Sequence, residues 1–223
     1  MNLKIALCGA ALICATTVSA QDVPQTKETV NVPTSASMLS TAGQLVKYGY
    51  EEGEALPLIQ AADIYLTFAG KQMDAKPEQE GGVESAQKAD NKVTFDPQKL
   101  LADATVMADG DSTLLALIDN IKNSATRGST LGVSTTTEVV KAKATDTYTV
   151  RFRGGEEAMV IVSGDGDTDL DLFVYDENNN LIDSDTDNTD DCVCVWVPKR
   201  TGNFKIKVKN YGNISNRYVI GVN

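Results

Sequence analysis

The sequence predicts an α+β chain in two parts, a small N-terminal helical bundle of about four helices followed by an all-β, jelly-roll-like sandwich. Three observations carry this. Between residues 36 and 124 apolar residues recur at three- and four-residue steps, the period of an amphipathic helix. From residue 133 onward, short runs rich in Val, Thr, Ile and aromatics are separated by turn residues at the spacing of about 8–12 expected of a sandwich. Within this region Gly164 to Asp191 holds ten aspartates and Glu177 with no Lys or Arg, as many negative charges as the formal net of -11 for all 223 residues. A block of like charge ordinarily repels itself into disorder. Here Leu170, Leu172, Phe173, Val174, Tyr175, Leu181 and Ile182 interrupt it as strand residues, so the charge belongs to a folded face or site.

Taken in order, the first twenty residues read as a signal peptide: Lys4, an apolar run from Ile5 to Ala15, then Val18-Ser19-Ala20 as the cleavage site. The run is too short for the ~20 residues a membrane span needs, and no lipobox precedes Cys8 or Cys14. The expectation is a secreted or periplasmic protein with no transmembrane segment in the mature chain. Residues 21–35, with two prolines and no period, are expected to form an extended tail.

The helical domain is expected over 36–124. Leu39, Ala42, Leu45, Val46 and Gly49 give one apolar stripe; after Glu51-Glu52-Gly53, Pro57 opens a second helix whose stripe is Leu58, Ile59, Ala62, Leu66 and Ala69. Residues 71–94 are charged and poor in large apolar residues, and read as a flexible loop. Asp96 caps a third helix, with Pro97 at its first position and Phe95 facing Leu100 as a hydrophobic staple. Past Gly110, Asp111 or Ser112 caps a fourth, with Leu114, Leu117, Ile118 and Ile121 on one face. Residues 125–132 read as a linker and 133–223 as the sandwich. Its clearest strand, Phe204 to Lys209, turns Lys205, Lys207 and Lys209 outward.

Within the sandwich, Asp146-Thr147-Tyr148, Gly164-Asp165-Gly166-Asp167-Thr168-Asp169-Leu170-Asp171-Leu172-Phe173-Val174-Tyr175-Asp176, Thr201-Gly202-Asn203-Phe204 and Asn216-Arg217-Tyr218 resemble the bacterial pre-peptidase C-terminal (PPC) domain. The resemblance covers roughly 130–223. It implies a non-catalytic β-sandwich of the kind appended to secreted peptidases and surface proteins, some relatives binding calcium and some insoluble polymers. No peptidase precedes the domain here, so the stabilising or attachment role is the part that carries over.

For the acidic block two readings stand. Calcium takes six to eight oxygens, and a site assembled across two loops would draw on Asp165, Asp167, Asp169, Asp171, Asp185 and Asp187. Alternatively the aspartates form a solvated face. Neither D-x-D-x-D run is an EF-hand: Leu170 stands where the first needs Gly, and Cys194 where the second needs Glu.

The absence of histidine removes the commonest general base and zinc ligand, and no nucleophile elbow or phosphate loop is present. No enzyme is therefore expected; carboxylate-based hydrolysis remains as an alternative. With 20 basic residues, one of them in the leader, against 31 acidic, nucleic acid is a poor partner. The expected partner is an envelope or extracellular protein or glycan, engaged by the helical domain. A carbohydrate- or matrix-binding reading places Tyr175, Trp196, Tyr211 and Tyr218 on a stacking face, against burial of the same residues. Cys192 and Cys194 are left open between a disulfide within the chain, one between chains, and free buried thiols.

Overall fold

A computed structural model describes residues 34–83, 93–124 and 133–223. The leader, nearly all of the tail, residues 84–92 of the expected loop and the linker lie outside the described residues. Four helices are present among them: α1 (Thr34–Glu52), α2 (Ala55–Phe68), α3 (Pro97–Met107) and α4 (Ser112–Ser124). Gly53, at φ 70, closes α1 and permits the tight turn into α2. Asp96 caps α3 as expected, its Oδ1 accepting from the amides of Gln98 at 2.8 Å and Lys99 at 3.4 Å. The flanking Phe95 and Leu100 are both buried. Asp111 caps α4 in the same way through Thr113 and Leu114.

The strands form two five-stranded sheets. The first has the order β1 (Ala69–Gln72), β3 (Val133–Val140), β10 (Asn216–Val222), β5 (Ala158–Gly164), β8 (Asp191–Trp196). The second has the order β2 (Glu78–Val83), β4 (Ala142–Phe152), β9 (Gly202–Asn210), β6 (Leu170–Tyr175), β7 (Leu181–Asp185). β1 runs parallel to β3; the other pairs are antiparallel. Alternation puts Tyr148, Leu172, Val174, Ile206, Val208 and Ile220 in one core between the sheets.

Two expectations need correction. The described residues belong to one compact unit, Asn31–Asn223, rather than to a bundle and a separate sandwich. Every residue of β5 is buried, so both faces of the first sheet need apolar cover. One face lies on the second sheet. The other, through Met159, Ile161 and Val219, shares a core with Leu39, Val46, Leu58 and Ile59 of the helices. The stripes of α1 and α2 are thus packed against this sheet, which makes three layers: helices, sheet, sheet.

The other correction concerns 71–94. Its first part is not a surface loop: β1 reaches Gln72 in the first sheet and β2 joins the second. The sequence Glu78-Gln79-Glu80-Gly81-Gly82-Val83 has no alternating apolar pattern because its strand is exposed along its whole length, so periodicity carries no signal there. Cys192 and Cys194 form no disulfide with each other and both are buried thiols, with the Cys192 Sγ–H donating to the Leu170 carbonyl at 3.1 Å.

Candidate functional site

The acidic block folds as a loop before β6, the β6–β7 hairpin and the loop into β8. At the hairpin turn Asp176 accepts from the amides of Asn178 and Asn180 and from the Asn180 side chain, all at 2.8 Å. Asn179 takes the left-handed conformation, φ 62. The hydrogen bonds from Asn180 and Asn178 hold the Asp176 carboxyl below its usual range. One carboxylate thereby sets the hairpin, a task an Asx turn performs without any ligand.

Asp165 is turned inward. Its Oδ2 accepts from the Arg217 amide at 2.8 Å and its Oδ1 from the Asp167 amide at 3.3 Å. Burial, with repulsion from Asp167 and Asp190, pushes this carboxyl up to about 6 despite those two bonds. Asp190, also buried, accepts at Oδ2 from the Gly166 amide at 2.6 Å and from the Asn216 side chain at 3.3 Å. Asn216 in turn donates to the Thr168 carbonyl. These bonds stitch the loop before β6 to the start of β10.

The counter-charge comes from a helix. Lys47, on α1, places its Nζ 2.9 Å from Asp190 Oδ1 and 2.8 Å from Asp191 Oδ2. Burial opposes its charge, but the two carboxylates outweigh this and hold it above the usual lysine value. One turn earlier, Gly43 lets α1 approach closely: a Cβ there would lie 1.9 Å from Ser163 Oγ. That hydroxyl donates to Asp191 Oδ1.

Two further carboxylates seal an open edge. β7 and β8 are the last strands of their sheets, side by side in space. Asp185 Oδ2 accepts from the Val193 amide at 2.9 Å and Asp183 Oδ2 from the Val195 amide at 3.0 Å. The D-x-D spacing of β7 matches the two-residue period of free amides along an edge strand. This joins the sheets and blocks further strand addition at β8.

Of the six residues expected to ligate calcium, Asp165 is committed to amides and Asp185 to Val193, while Asp187 accepts from the amide and hydroxyl of Thr189. Asp169 and Asp171 lie close enough to feel each other: burial and Asp169 raise the Asp171 carboxyl, while Lys209 and a bond from Tyr211 lower it. Asp169 is raised by burial and by Asp187 and Asp190, and its Oδ1 is buried with no hydrogen-bond partner. Among the described residues, no three Asp, Glu, Cys or His side chains are grouped so as to hold a metal ion.

Sequence reasoning missed Lys47, Asp183 and the pair Asp190–Asp191. The available signal was the position of Gly43 and Lys47 beside the Leu39, Ala42, Val46 stripe, a small residue and a cation one turn apart on a packed face. It also missed a second polar centre between the sheets. There the Tyr218 hydroxyl donates to Asp146 Oδ2 at 2.7 Å and lies 2.7 Å from the Tyr148 hydroxyl. Gln79 of β2 donates to Asp146 Oδ1 at 2.7 Å. Burial raises the Asp146 carboxyl, the two donated bonds lower it, and Glu138 raises it further, leaving it above the usual range.

The proposed stacking set is divided. Tyr218 is fully buried. Trp196 packs edge-on against Phe152 at a cavity of about 430 Å³ also lined by Asp176, Lys199 and Arg200. Tyr175 and Tyr211 remain accessible, the latter 42% exposed. No described helix is long and apolar enough to cross a membrane.

No family model matches this chain, and no curated protein matches it. Among solved structures it is similar to the pre-peptidase C-terminal domain of a collagenase from Bacillus anthracis, at 16% identity over 40% of this chain and 88% of that one, TM-score 0.32. It is also similar to the Aeromonas hydrophila periplasmic inhibitor of g-type lysozyme, at 15% identity over 40% and 83%, TM-score 0.33. A third similarity, to CapF, has 8% identity over 52% of this chain and 37% of that one, TM-score 0.24. The first is the family already suggested by the residues around Asp165–Asp176. At these identities and scores none of the three carries a residue's role to this chain.

Proposed function

We propose that this is a secreted or periplasmic, non-catalytic envelope protein whose β-sandwich serves as an attachment module. The observation that supports this most is the division of labour between the sheets. The helices pack on the first sheet, α1 on β5 and β8 and α2 on β1, and leave the outward side of the second as the broad uncovered face. The carboxylates that could have served hydrolysis are held by backbone amides and Lys47 in roles that build the fold. Binding therefore falls to the sandwich, rather than to the helical partner-binding domain that the sequence suggests.

The test is retention: the purified mature chain is mixed with washed envelope fractions, and the bound share is measured against an unrelated acidic protein. Retention at or below that control would remove the attachment reading. Calcium enters this reading at one place, the buried unpartnered oxygen of Asp169, where like charge from Asp187 and Asp190 favours an added cation. Melting curves several degrees apart with calcium and with chelator would support that role; coincident curves would remove it.

A further inference from the structure

The outward face of the second sheet carries a row of lysines in a chain whose net charge is -11. Inward residues Leu170, Leu172, Val174 on β6 and Phe204, Ile206, Val208 on β9 fill the core. Alternation then sends Phe173 and Tyr175 of β6 and Lys205, Lys207 and Lys209 of β9 outward, with Asp171 on the same face but buried. Register pairs them across the ladder: Phe173 with Lys207, Tyr175 with Lys205, Asp171 with Lys209. On the other side of β9, Thr145, Thr147 and Thr149 of β4 stand opposite the same lysines, with exposed Arg151 beyond.

The side chains are ordered by one another. The rings of Phe173 and Tyr175 lie 6.4 Å apart at 26° to each other, a stacked aromatic pair. Lys207 Nζ sits 5.6 Å from the Tyr175 ring centre and Lys209 Nζ 4.1 Å from that of Tyr211. Lys205 donates to Asn179 at 2.7 Å. An ammonium has three donors, so each keeps hydrogen-bonding capacity for a ligand while its position is set in advance.

Charge decides the class of ligand. Three lysines at the two-residue spacing of a strand, about 6.8 Å, beside Arg151 make a cationic row in a chain of net -11. The exposed Glu78 and Glu80 of β2 border that row with negative charge. A polyanion as dense as nucleic acid would meet this border and the net charge and be repelled. A polymer with carboxylates at intervals and sugar rings between them fits instead. Its carboxylates meet the lysines, its ring faces rest on Phe173 and Tyr175, and its hydroxyls reach the threonines.

We propose that the outward face of the second sheet binds an acidic polysaccharide, a polyuronate in the first instance; this rests on the attachment reading and names its ligand. The test uses the full mature chain in affinity electrophoresis and calorimetry with polygalacturonate, fully methyl-esterified polygalacturonate and polyphosphate. Expected is binding to polygalacturonate that weakens with salt, with little binding to the esterified form or to polyphosphate. Lys207→Glu and Tyr175→Ala should each weaken it about tenfold, with Lys122→Glu on α4 as a neutral control and melting curves verifying the fold. Absence of binding, equal binding of polyphosphate, or affinity unchanged in folded Lys207→Glu protein would overturn the proposal. If the triple variant Lys205→Glu/Lys207→Glu/Lys209→Glu is still retained by envelopes, attachment stands and this surface is wrong. If the wild type is not retained, both fall.

Discussion

At the scale of single residues the fold depends on how each buried charge is answered. Lys47 pairs with both Asp190 and Asp191, so Lys47→Met leaves two carboxylates facing each other under α1. The expected loss is about 2–3 kcal/mol, read from urea unfolding. The carboxyls of Asp146, Asp165, Asp169 and Asp171 are all raised in the folded chain, so the native state binds protons more tightly than the unfolded one. Stability should therefore rise as pH falls from about 6 toward 4, and fall again as pH rises through that window. For Asp165, which moves from 3.8 to about 6, Asp165→Asn should flatten the slope of melting temperature against pH in that interval. The acidic block was legible in the sequence as a folded feature. Its neutralising partner was not, because Lys47 lies more than a hundred residues earlier and only packing brings it near.

Among the elements, α1 is held by shape as much as by charge. Helix propensity alone predicts that Gly43→Ala gains up to about 1 kcal/mol. The added Cβ would lie 1.9 Å from Ser163 Oγ and 2.7 Å from its Cβ, so the sign reverses and a loss of about 1–3 kcal/mol is expected in thermal melts. The paired caps on β8 give a second prediction. Asp183→Ala with Asp185→Ala frees the amides of Val193 and Val195, which should exchange hydrogen faster while those of the β5–β8 ladder stay protected. Strands with alternating apolar residues, β4, β6 and β9 above all, were readable from period alone. The fully exposed β2 was not, since a strand that buries no side chain leaves no hydrophobic imprint.

For the whole molecule, the layered arrangement decides what can stand alone. The boundary expected at 125–132 follows a true change of local pattern, from helical period to strand alternation. Local pattern does not report that the first sheet is apolar on both sides. The sign of this in the sequence was the unbroken Ala158-Met159-Val160-Ile161-Val162, too continuous for a sheet with one wet face. A fragment of residues 133–223 would expose Met159, Ile161, Val193, Val195 and Val219. It is expected to self-associate or bind hydrophobic dye, where the intact chain stays monodisperse by light scattering. A monodisperse, cooperatively melting fragment would restore the two-domain description.

The two buried thiols sit where the sheets meet, and burial raises that of Cys192 far above its ordinary value. Reactive thiolate is therefore scarce as long as the layers stay together. The molecule carries its own clock: the rate at which a thiol reagent modifies Cys192 and Cys194 measures how often the sandwich opens, with no label added. A ligand that grips the second sheet would slow that clock without touching either sulfur.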